Sequence, residues 1–426
     1  MKKPEPRRIL FAVTVPYSVN LLGDIPRALS EEGWDVHVVS SPGPELEEAA
    51  AQEYGTCHGL PMAREPSIIK DFMSLCRWIH LLAKLRPEVI SIGTPKASLL
   101  GMLAGWALRV PHRVYVLRGL RLETTTGFQR RVLSGVEKIT SACATQVVAV
   151  SASLRRVYLE QNLTHPGKVI VLGHGSSKGV DSDRFRPARK REETGLRELA
   201  KEIGIIPGVP VVGLFGRHAQ DKGFEVLFSA LTDLNRAGVQ YQILAIGDDE
   251  SQGGFTKPLQ DAKYRIISMP RVKDLQRYFR LIDVLCLPTL REGLPNIALE
   301  AQASGVPIVT TDATGAVDAV EDKFSGIVVK KGSASDLANG LKSLLENEGY
   351  RAKLANNARP WVLSRFGSAT VISNNLAYYT QLAQVAGKLR LGRISGHDGD
   401  TMPGPSNDEN RSSLGGDRLP IQLEGG

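Results

Sequence analysis

Cysteine, histidine and long apolar runs are scarce in this sequence, and their scarcity excludes several classes of protein. The four cysteines lie far apart and form no Cys-x-x-Cys pair, so neither a disulfide framework nor a zinc site is favoured. We expect them to be small buried hydrophobes in a reducing compartment. They are Cys57, Cys76, Cys143 and Cys286. The eight histidines lack the spacing of metal ligands, so no metal site is predicted.

The chain also lacks the segments that would carry it into or across a membrane. The first eight residues contain basic side chains but no apolar run long enough for a signal peptide. The longest apolar stretch, Ala97–Leu108, contains two glycines and is shorter than the roughly 20 residues that span a bilayer. We expect a cytosolic protein, and a peripheral contact with a membrane surface stays open.

The charge of the chain narrows the choice of partners only in part. The net charge of +8 is spread along the sequence and suits an anionic small molecule, a phospholipid surface or nucleic acid. Basic residues are not interleaved with aromatic ones as they are in single-strand-binding proteins. Nucleic acid is therefore not an expected partner.

Two α/β domains are the expected architecture, because 426 residues exceed one ordinary hydrophobic core. Short β-branched runs alternate with amphipathic segments, which predicts parallel βαβ units. The predicted strands are Ile9–Val15, Val36–Ser40, Val89–Ile92, Arg113–Leu117, Val147–Val150, Val169–Leu172, Val211–Phe215, Gln242–Ile246, Val284–Leu287 and Ile308–Thr311. The predicted helices include Leu21–Glu32, Ile68–Leu85, Phe224–Arg236, Leu275–Leu281 and Ile297–Ser304.

The boundary between the two domains is placed near Val180–Pro187. This gives a first domain of residues 1–182 and a second of residues 183–365, which the charged helix Arg189–Glu202 would open. Residues 387–426 are rich in Gly, Ser, Asp, Asn and Pro, a composition that buries too little apolar surface to fold. A disordered tail is expected there.

The most informative segment is PTLREGLPNIALEAQASG, which begins at Pro288 and ends at Gly305. It follows a predicted strand, so its loop would lie at the carboxyl edge of the sheet, where open α/β folds bind ligands. Asn296 is predicted to cap the following helix, whose first N–H groups suit an anionic or hydroxylated ligand. Glu292 in the loop and Glu300 in the helix could each accept hydrogen bonds from a sugar diol. On spacing alone, two solvated surface charges are the commoner explanation.

A second loop, GLFGRHAQDKG, follows the first strand of the second half. Gly216 permits a tight turn, after which Arg217 and Lys222 can converge on a phosphate group. Two fixed cations would stabilise the charge that develops on a diphosphate leaving a sugar. Gly247 opens a third turn on the same edge of the sheet. Taken alone, such a loop is a weak indication, because charged residues are common in exposed turns.

Together these segments resemble the family 4 glycosyltransferases of GT-B fold. The shared pattern is Arg217 with Lys222-Gly, then Gly247-Asp, Glu292-Gly-Leu-Pro-Asn, Glu300-Ala and Gly305-Val-Pro-Ile-Val. The likeness covers nearly all of residues 8–385 and looks closest to the bacterial capsule, O-antigen and exopolysaccharide branch. It implies two Rossmann-like doubly wound domains facing a central cleft, with a helix at 366–386 that packs back on the first domain.

The resemblance implies a role for each matching residue. Arg217 and Lys222 would hold the donor diphosphate, Glu300 would bind the nucleotide ribose, and Glu292 would face the donor sugar. Further donor contacts would come from Gly216, Gly247, Gly293, Leu294, Pro295 and Asn296, and from Arg271 and Val272 in the loop beside the base, Met269–Val272.

The chemistry that the family implies needs no protein nucleophile. The anomeric configuration is retained, because the acceptor attacks the face from which the nucleotide leaves and a donor phosphate oxygen takes its proton. We expect transfer of a hexose or N-acetylhexosamine from a nucleotide sugar, most simply a UDP-sugar, to a polyprenyl-diphosphate-linked glycan. No cofactor or metal ion is expected besides the donor.

Two positions depart from the family pattern. Relatives often carry histidines before the Thr-Pro-Lys triplet and after the next strand, where this chain has Ser91, Gly93 and Arg118. We hypothesise that Arg118, Arg121 and Lys96 contact an anionic acceptor. Ordinary surface or packing charges are an equally good explanation.

Other functions of the same fold stay open on sequence alone. A UDP-sugar 2-epimerase would also bind a nucleotide sugar but would convert it without an acceptor. A catalytically degenerate partner would bind nucleotide only, and a sugar phosphorylase would require inorganic phosphate. The four charged donor residues favour an active transferase.

Two further patterns have simpler explanations. Asp181-Ser-Asp183 matches a metal-binding pattern of another glycosyltransferase fold, but it falls in the interdomain connection and is interpreted as structural. Trp78 and Trp106 could form an aromatic, basic surface that docks on an anionic inner membrane, or they could be core residues. The basic residues beside them are Arg77, Arg109 and Arg113.

Overall fold

Two parallel sheets form the framework of the protein. The computed structural model describes residues 6–63, 67–250 and 265–394. The first sheet has seven strands in the order β3-β2-β1-β4-β5-β6-β7, and the second has six in the order β10-β9-β8-β11-β12-β13. Both orders reverse beside their first strand, which is the doubly wound arrangement. The predicted α/β class with two such sheets is confirmed.

Most strands are short and buried on both faces, as parallel strands between two helical layers should be, whereas the edge strands Thr56–Gly59 and Ile266–Met269 are only partly buried. They are β1 Arg8–Ala12, β2 Asp35–Ser40, β3 Thr56–Gly59, β4 Val89–Gly93, β5 His112–Leu117, β6 Gln146–Ala149, β7 Val169–Ile170, β8 Val211–Phe215, β9 Gln242–Ile246, β10 Ile266–Met269, β11 Val284–Leu287, β12 Ile308–Thr311 and β13 Gly326–Val329. All strand pairs are parallel, so each connection crosses over through a helix or loop.

The helices cover both faces of the sheets. They are α1 Ile25–Glu31, α2 Pro44–Ala51, α3 Ile68–Leu85, α4 Pro95–Ala107, α5 Gly127–Cys143, α6 Ala152–Glu160, α7 Glu193–Glu202, α8 Phe224–Arg236, α9 Leu275–Phe279, α10 Asn296–Ala303, α11 Ala334–Leu345, α12 Glu348–Phe366 and α13 Ser368–Ile394. In the first half, α4 packs between α3 and α5 on one face of the sheet. Among the described helices, none is both long and apolar enough to cross a bilayer.

Helix α13 brings the end of the described chain back to the first sheet. The Tyr379 hydroxyl lies 2.7 Å from the Ser91 hydroxyl, and the Tyr379 ring packs edge-on against Phe11 with 5.6 Å between centroids. The hydrogen bond joins residues 288 positions apart in sequence. The contact fixes this part of α13 against β1 and β4.

Most predicted elements form, and the exceptions have local causes. Pro16–Leu21 forms a separate 3-10 helix, so α1 begins only at Ile25. Strand Thr56–Gly59 was not predicted because its sequence, TCHG, lacks the apolar residues of a buried strand. The tail predicted to be disordered begins at residue 387, but residues 387–394 continue helix α13, and the rest of the tail lies outside the described residues. The boundary between residues 182 and 183 stays a prediction.

Candidate active site

A cavity of about 200 Å³ lies at the carboxyl ends of β8 and β11, the strands between which the second sheet reverses its order. This switch point is where open α/β sheets bind ligands. Six of the predicted donor-site residues line the cavity: Gly216, Arg217, Lys222, Glu292, Pro295 and Asn296. The structure therefore brings together the two loops that the sequence singled out separately.

Lys222 and Glu292 form an ion pair within this cavity. The Lys222 Nζ donates to Glu292 Oε1 over 2.6 Å, and both side chains are largely buried. Lys222 ends a 3-10 turn, and Gly223 follows with a φ of +75°. A Cβ at Gly223 would lie 1.8 Å from the Pro288 carbonyl oxygen, so only glycine lets the two loops approach this closely. Charge is thus concentrated at the cavity but balanced between the two residues.

Arg217 has a carboxylate partner of its own. Its guanidinium donates to Glu250 over 2.5 Å, and nearly half of the Arg217 side chain is exposed to solvent. An exposed pair of this kind contributes little to stability and breaks easily. A diphosphate could therefore take Arg217 from Glu250 at small cost, whereas Lys222 would have to leave a more buried partner.

Asn296 differs from its predicted role. Pro295 holds the N-cap position, and Asn296 is the first residue of α10, so the predicted side-chain cap does not form. The Asn296 Oδ1 is buried and has no hydrogen-bond partner. Buried polar atoms are nearly always satisfied, and a helix start also leaves backbone N–H groups without partners. Asn296 and the start of α10 thus offer hydrogen-bonding groups on the wall of the cavity.

Glu300 lies on α10 outside the residues that line the cavity. It is 8% exposed and pairs with Lys178, with 3.4 Å between Nζ and Oε1. Burial raises the pKa of Glu300, and the positive charge of Lys178 opposes that shift. Sequence reasoning missed Lys178, although it stands three residues before the Asp181-Ser-Asp183 pattern.

The remaining predicted donor residues are not among those that line the cavity. A Cβ at Gly247 would lie 1.7 Å from the Gly216 carbonyl oxygen, so the turns after β8 and β9 touch there. Arg271 stacks on Tyr17 of the first half, 3.7 Å from the ring centroid. Val272 packs at the edge of the large apolar core. Leu294 is buried.

The loop that carries Glu292 also contacts the first half of the chain. The Ser151 hydroxyl donates to the Gly293 carbonyl oxygen over 2.7 Å, and the Arg291 Nε donates to Thr124 over 2.9 Å. A Cβ at Gly293 would lie 2.1 Å from the Arg118 carbonyl oxygen. The two halves therefore meet at this loop, and the contact by Ser151 could not be foreseen because it spans 142 positions.

Arg118 lies where the resemblance expected a histidine. Its guanidinium donates to the Leu21 carbonyl oxygen over 3.0 Å, and its Nε is buried without a hydrogen-bond partner. Burial lowers the pKa of Arg118 to about 10, which leaves it protonated at neutral pH. A Cβ at Gly93 would lie 2.5 Å from that Nε. The two departures from the family pattern are therefore linked, since Gly93 provides the space that Arg118 fills.

The other two predicted acceptor cations have different surroundings. The Lys96 Nζ forms an ion pair with Asp71 over 2.8 Å, and Arg121 is exposed. Both follow strands of the first sheet at its carboxyl edge. A joint role of Lys96, Arg118 and Arg121 toward an acceptor stays a prediction.

The burial of the cysteine and tryptophan side chains tests what the sequence predicted for them. Cys143 and Cys286 are buried as expected, but Cys57 is half-buried and Cys76 is exposed, because Cys76 lies on the solvent side of α3. Trp78 is fully buried, whereas 59% of Trp106 is exposed. The two tryptophans therefore do not share one surface.

Two charged residues of the expected patterns have structural contacts. The Arg113 guanidinium donates to the carbonyl oxygens of Cys143 and Val110, which ties it to the fold and removes it from the expected basic surface. The Asp181 carboxylate accepts from the backbone N–H groups of Asp183 and Arg184. It thus stabilises its own turn.

Comparison with known proteins identifies the family. Residues 197–361 match the model for glycosyl transferases group 1, and residues 22–175 match the model for a glycosyl transferase 4-like domain. The chain is 32% identical over 386 residues to the capsular polysaccharide biosynthesis glycosyltransferase CapM of Staphylococcus aureus, covering 90% of this chain and 99% of that protein. The chain belongs to the group 1 glycosyltransferases.

This glycosyltransferase is similar to two further proteins. It is 27% identical over 301 residues to an N,N'-diacetylbacillosaminyl-diphospho-undecaprenol alpha-1,3-N-acetylgalactosaminyltransferase of Campylobacter jejuni, covering 68% of this chain and 76% of that one. The crystal structure of Anabaena HepE in complex with UDP and glucose matches its fold with a TM-score of 0.70 at 17% identity, covering 88% and 99% of the two chains. The GT-B fold expected from the sequence is confirmed.

Proposed function

We propose that this glycosyltransferase moves a hexose or N-acetylhexosamine from a UDP-sugar to a polyprenyl-diphosphate-linked glycan in surface polysaccharide synthesis, with retention of configuration. The observation that carries the proposal is the cavity at the β8–β11 switch point, which combines Arg217, Lys222 and Glu292 beside the buried Glu300. The names of the capsular and undecaprenol-linked relatives support the acceptor class. The complex of HepE with UDP and glucose supports the donor class by fold alone.

The donor diphosphate would replace carboxylates as the partner of two cations. Lys222 would turn from Glu292 to the diphosphate, and Arg217 would turn from Glu250. The bond between the anomeric carbon and the phosphate oxygen breaks as the acceptor hydroxyl attacks the same face, so negative charge grows on the leaving diphosphate. Two fixed cations stabilise that charge more in the transition state than in the bound donor.

Glu292 and Glu300 would then bind hydroxyl groups. Once released from Lys222, the Glu292 carboxylate can accept hydrogen bonds from the donor sugar, which couples sugar recognition to placement of the phosphate. Glu300 would exchange Lys178 for the ribose hydroxyls. The acceptor's proton would go to a donor phosphate oxygen, so no protein base is assigned. The proposal also includes independence from divalent metal ions and a cytosolic location with peripheral contact to the inner membrane.

The test is a binding and hydrolysis panel of UDP-, GDP- and ADP-sugars with wild type and Glu300→Ala. We expect one nucleotide sugar to bind, its sugar to be released slowly to water, and both to fall at least about tenfold in the variant, because a charged hydrogen-bond partner is lost. Glu198→Ala, which removes an exposed glutamate on α7, is the matched control and should behave as wild type. Unchanged binding by Glu300→Ala would contradict the assignment.

The same panel separates the alternative functions. An epimerase would convert the UDP-sugar to an isomer without any acceptor, and a phosphorylase would require inorganic phosphate. A degenerate partner would bind nucleotide without releasing sugar.

A further inference from the structure

Two helices of the first half expose large apolar side chains at their first turns. On α3, Ile68 is 91% exposed and Phe72 is 65% exposed, and on α5, Phe128 is 80% exposed. On each helix the exposed apolar side chains are one turn apart and so lie next to one another, and grouped apolar side chains of this kind mark an interaction surface. We call the group at these two helix starts the mouth patch; it consists of Ile68, Ile69, Phe72, Met73, Phe128 and Val132.

The mouth patch lies at the edge of the first sheet that faces the candidate active site. In a βαβ unit each helix starts at the carboxyl edge of the sheet and runs back along it. Helix α3 has 18 residues and is about 27 Å long, whereas the five-residue strand β4 is about 16 Å long. The ion pair between Asp71 on α3 and Lys96 on the first turn of α4 fixes α3 in this position. Its first turn therefore projects beyond the sheet edge.

The start of α5 is tied to the same edge. The Arg130 guanidinium donates to the Leu122 carbonyl oxygen over 2.7 Å, in the segment that follows β5. Thr124 in that segment accepts the hydrogen bond from Arg291 of the donor-side loop. Phe128 and Val132 thus lie on a helix that is linked, through the segment containing Leu122 and Thr124, to the loop that holds Glu292.

The charges of the two helices identify the partner of the mouth patch. Every exposed charged side chain of α3 and α5 is basic; these residues are Lys70, Arg77, Lys84, Arg131 and Lys138. The acidic residues of these helices are taken up internally, since Asp71 pairs with Lys96 and Glu137 accepts from two tyrosines. Lys70 and Arg131 lie within the helix starts, whereas the other three basic residues lie further along the two helices. Apolar side chains interleaved with basic ones match an anionic bilayer, in which the apolar side chains enter the interface and the cations contact phosphate headgroups.

We propose that the mouth patch docks this enzyme on an anionic phospholipid bilayer with the catalytic cleft at the membrane surface. The proposal deepens the proposed function, because a polyprenyl-linked acceptor keeps its lipid in the bilayer and its diphosphate at the headgroup level. Docking by the two helix starts brings that headgroup level to the carboxyl edge of the first sheet. The exposed Trp106 lies at the end of α4, on the opposite edge of the sheet, and takes no part.

The test is sedimentation of the full chain with vesicles that contain no acceptor, so the result does not depend on glycosyl transfer. Vesicles of phosphatidylcholine with phosphatidylglycerol should bind the enzyme, and phosphatidylcholine alone should bind it weakly. Phe72→Ser and Phe128→Ser should each lower the partition coefficient about tenfold. Arg131→Glu should lower it at least about fivefold, and on phosphatidylglycerol vesicles only.

Matched controls separate the mouth patch from general surface hydrophobicity. Phe324→Ser, at an exposed phenylalanine of the second half, and Trp106→Ser should bind vesicles as wild type does. Equal losses in these controls, or wild-type binding by Phe72→Ser and Phe128→Ser, would overturn the proposal. So would a dimer in sedimentation velocity that Phe72→Ser dissociates, since the patch would then be a subunit interface. Donor binding, measured in parallel, verifies that each variant is folded.

Discussion

Glu137 is a carboxyl group enclosed by aromatic side chains, and its charge destabilises the fold at neutral pH. Its Oε2 accepts from the Tyr115 and Tyr158 hydroxyls over 3.0 and 3.2 Å. Burial nevertheless raises the pKa of Glu137 to about 6, because two neutral donors replace bulk water incompletely. The folded chain therefore binds this proton more tightly than the unfolded chain does.

Glu137→Gln should stabilise the enzyme at high pH and leave its stability nearly unchanged at low pH. A folded pKa above the unfolded value contributes stability that is present at low pH and is lost as pH rises through the folded pKa. Because folding raises the pKa of Glu137 from 4.5 to about 6, the free energy of unfolding falls by about 2 kcal/mol between pH 4 and pH 8. Glutamine keeps the acceptor oxygen for both tyrosines. Urea unfolding of wild type and variant across this pH range measures the difference; a constant difference would contradict it.

At single positions, the sequence indicated which charged residues are candidates for the donor site but not which residues they contact. The donor residues Arg217, Lys222 and Glu292 were predicted from the family resemblance, since spacing alone favoured ordinary surface charges. The pairing of Lys222 with Glu292 was not, because it joins residues 70 positions apart. Lys178 was missed for the same reason, since its partner Glu300 lies on another element.

At the scale of elements, the loop between β11 and α10 is held by backbone contacts on both sides. The Gly293 carbonyl accepts from Ser151, the Glu292 N–H donates to the Thr314 carbonyl, and Gly293 lies against the Arg118 carbonyl.

Strands such as Val284–Leu287 were predictable because a buried parallel strand is a short apolar run. The start of α10 was displaced by one residue because Pro295 takes the cap position that Asn296 would favour by its side chain.

Gly293→Ala should reduce kcat/KM at least about tenfold. Its Cβ would lie 2.1 Å from the Arg118 carbonyl oxygen, so the donor loop must move away from the first half, and such shifts misplace the reacting groups. Gly195→Ala is the control, because a Cβ there meets no atom within 4 Å and lies in a helix. The control should gain up to about 1 kcal/mol of stability and keep full activity. Equal kinetics for both variants would refute the close-contact argument.

At the scale of the whole molecule, hydrogen bonds between the two halves hold the cleft in one arrangement. The Asp318 carboxylate accepts from the backbone N–H and hydroxyl of Ser153, and that hydroxyl accepts from the Gly315 N–H over 2.7 Å. Thr314 donates to Glu123 over 2.6 Å. The alternation of strands and helices predicts two sheets but contains no information on this interface, since each bond spans more than 150 positions.

Asp318→Ala should open the cleft. It removes a charged acceptor and leaves the Ser153 N–H without a partner, which costs about 1.5–3 kcal/mol and lowers the ratio of closed to open molecules at least about tenfold. Small-angle scattering should give a larger radius of gyration, and the donor should bind more weakly. Glu346→Ala, at an exposed glutamate on the surface, should change neither quantity. A variant as compact as wild type would mean that other contacts suffice.

Because of the contact between Gly93 and Arg118, the residue that fits at one of these positions depends on the residue at the other. A side chain at position 93 and the guanidinium at its observed place exclude one another. A chain with a side chain at position 93 would therefore need the guanidinium of Arg118 displaced or residue 118 replaced.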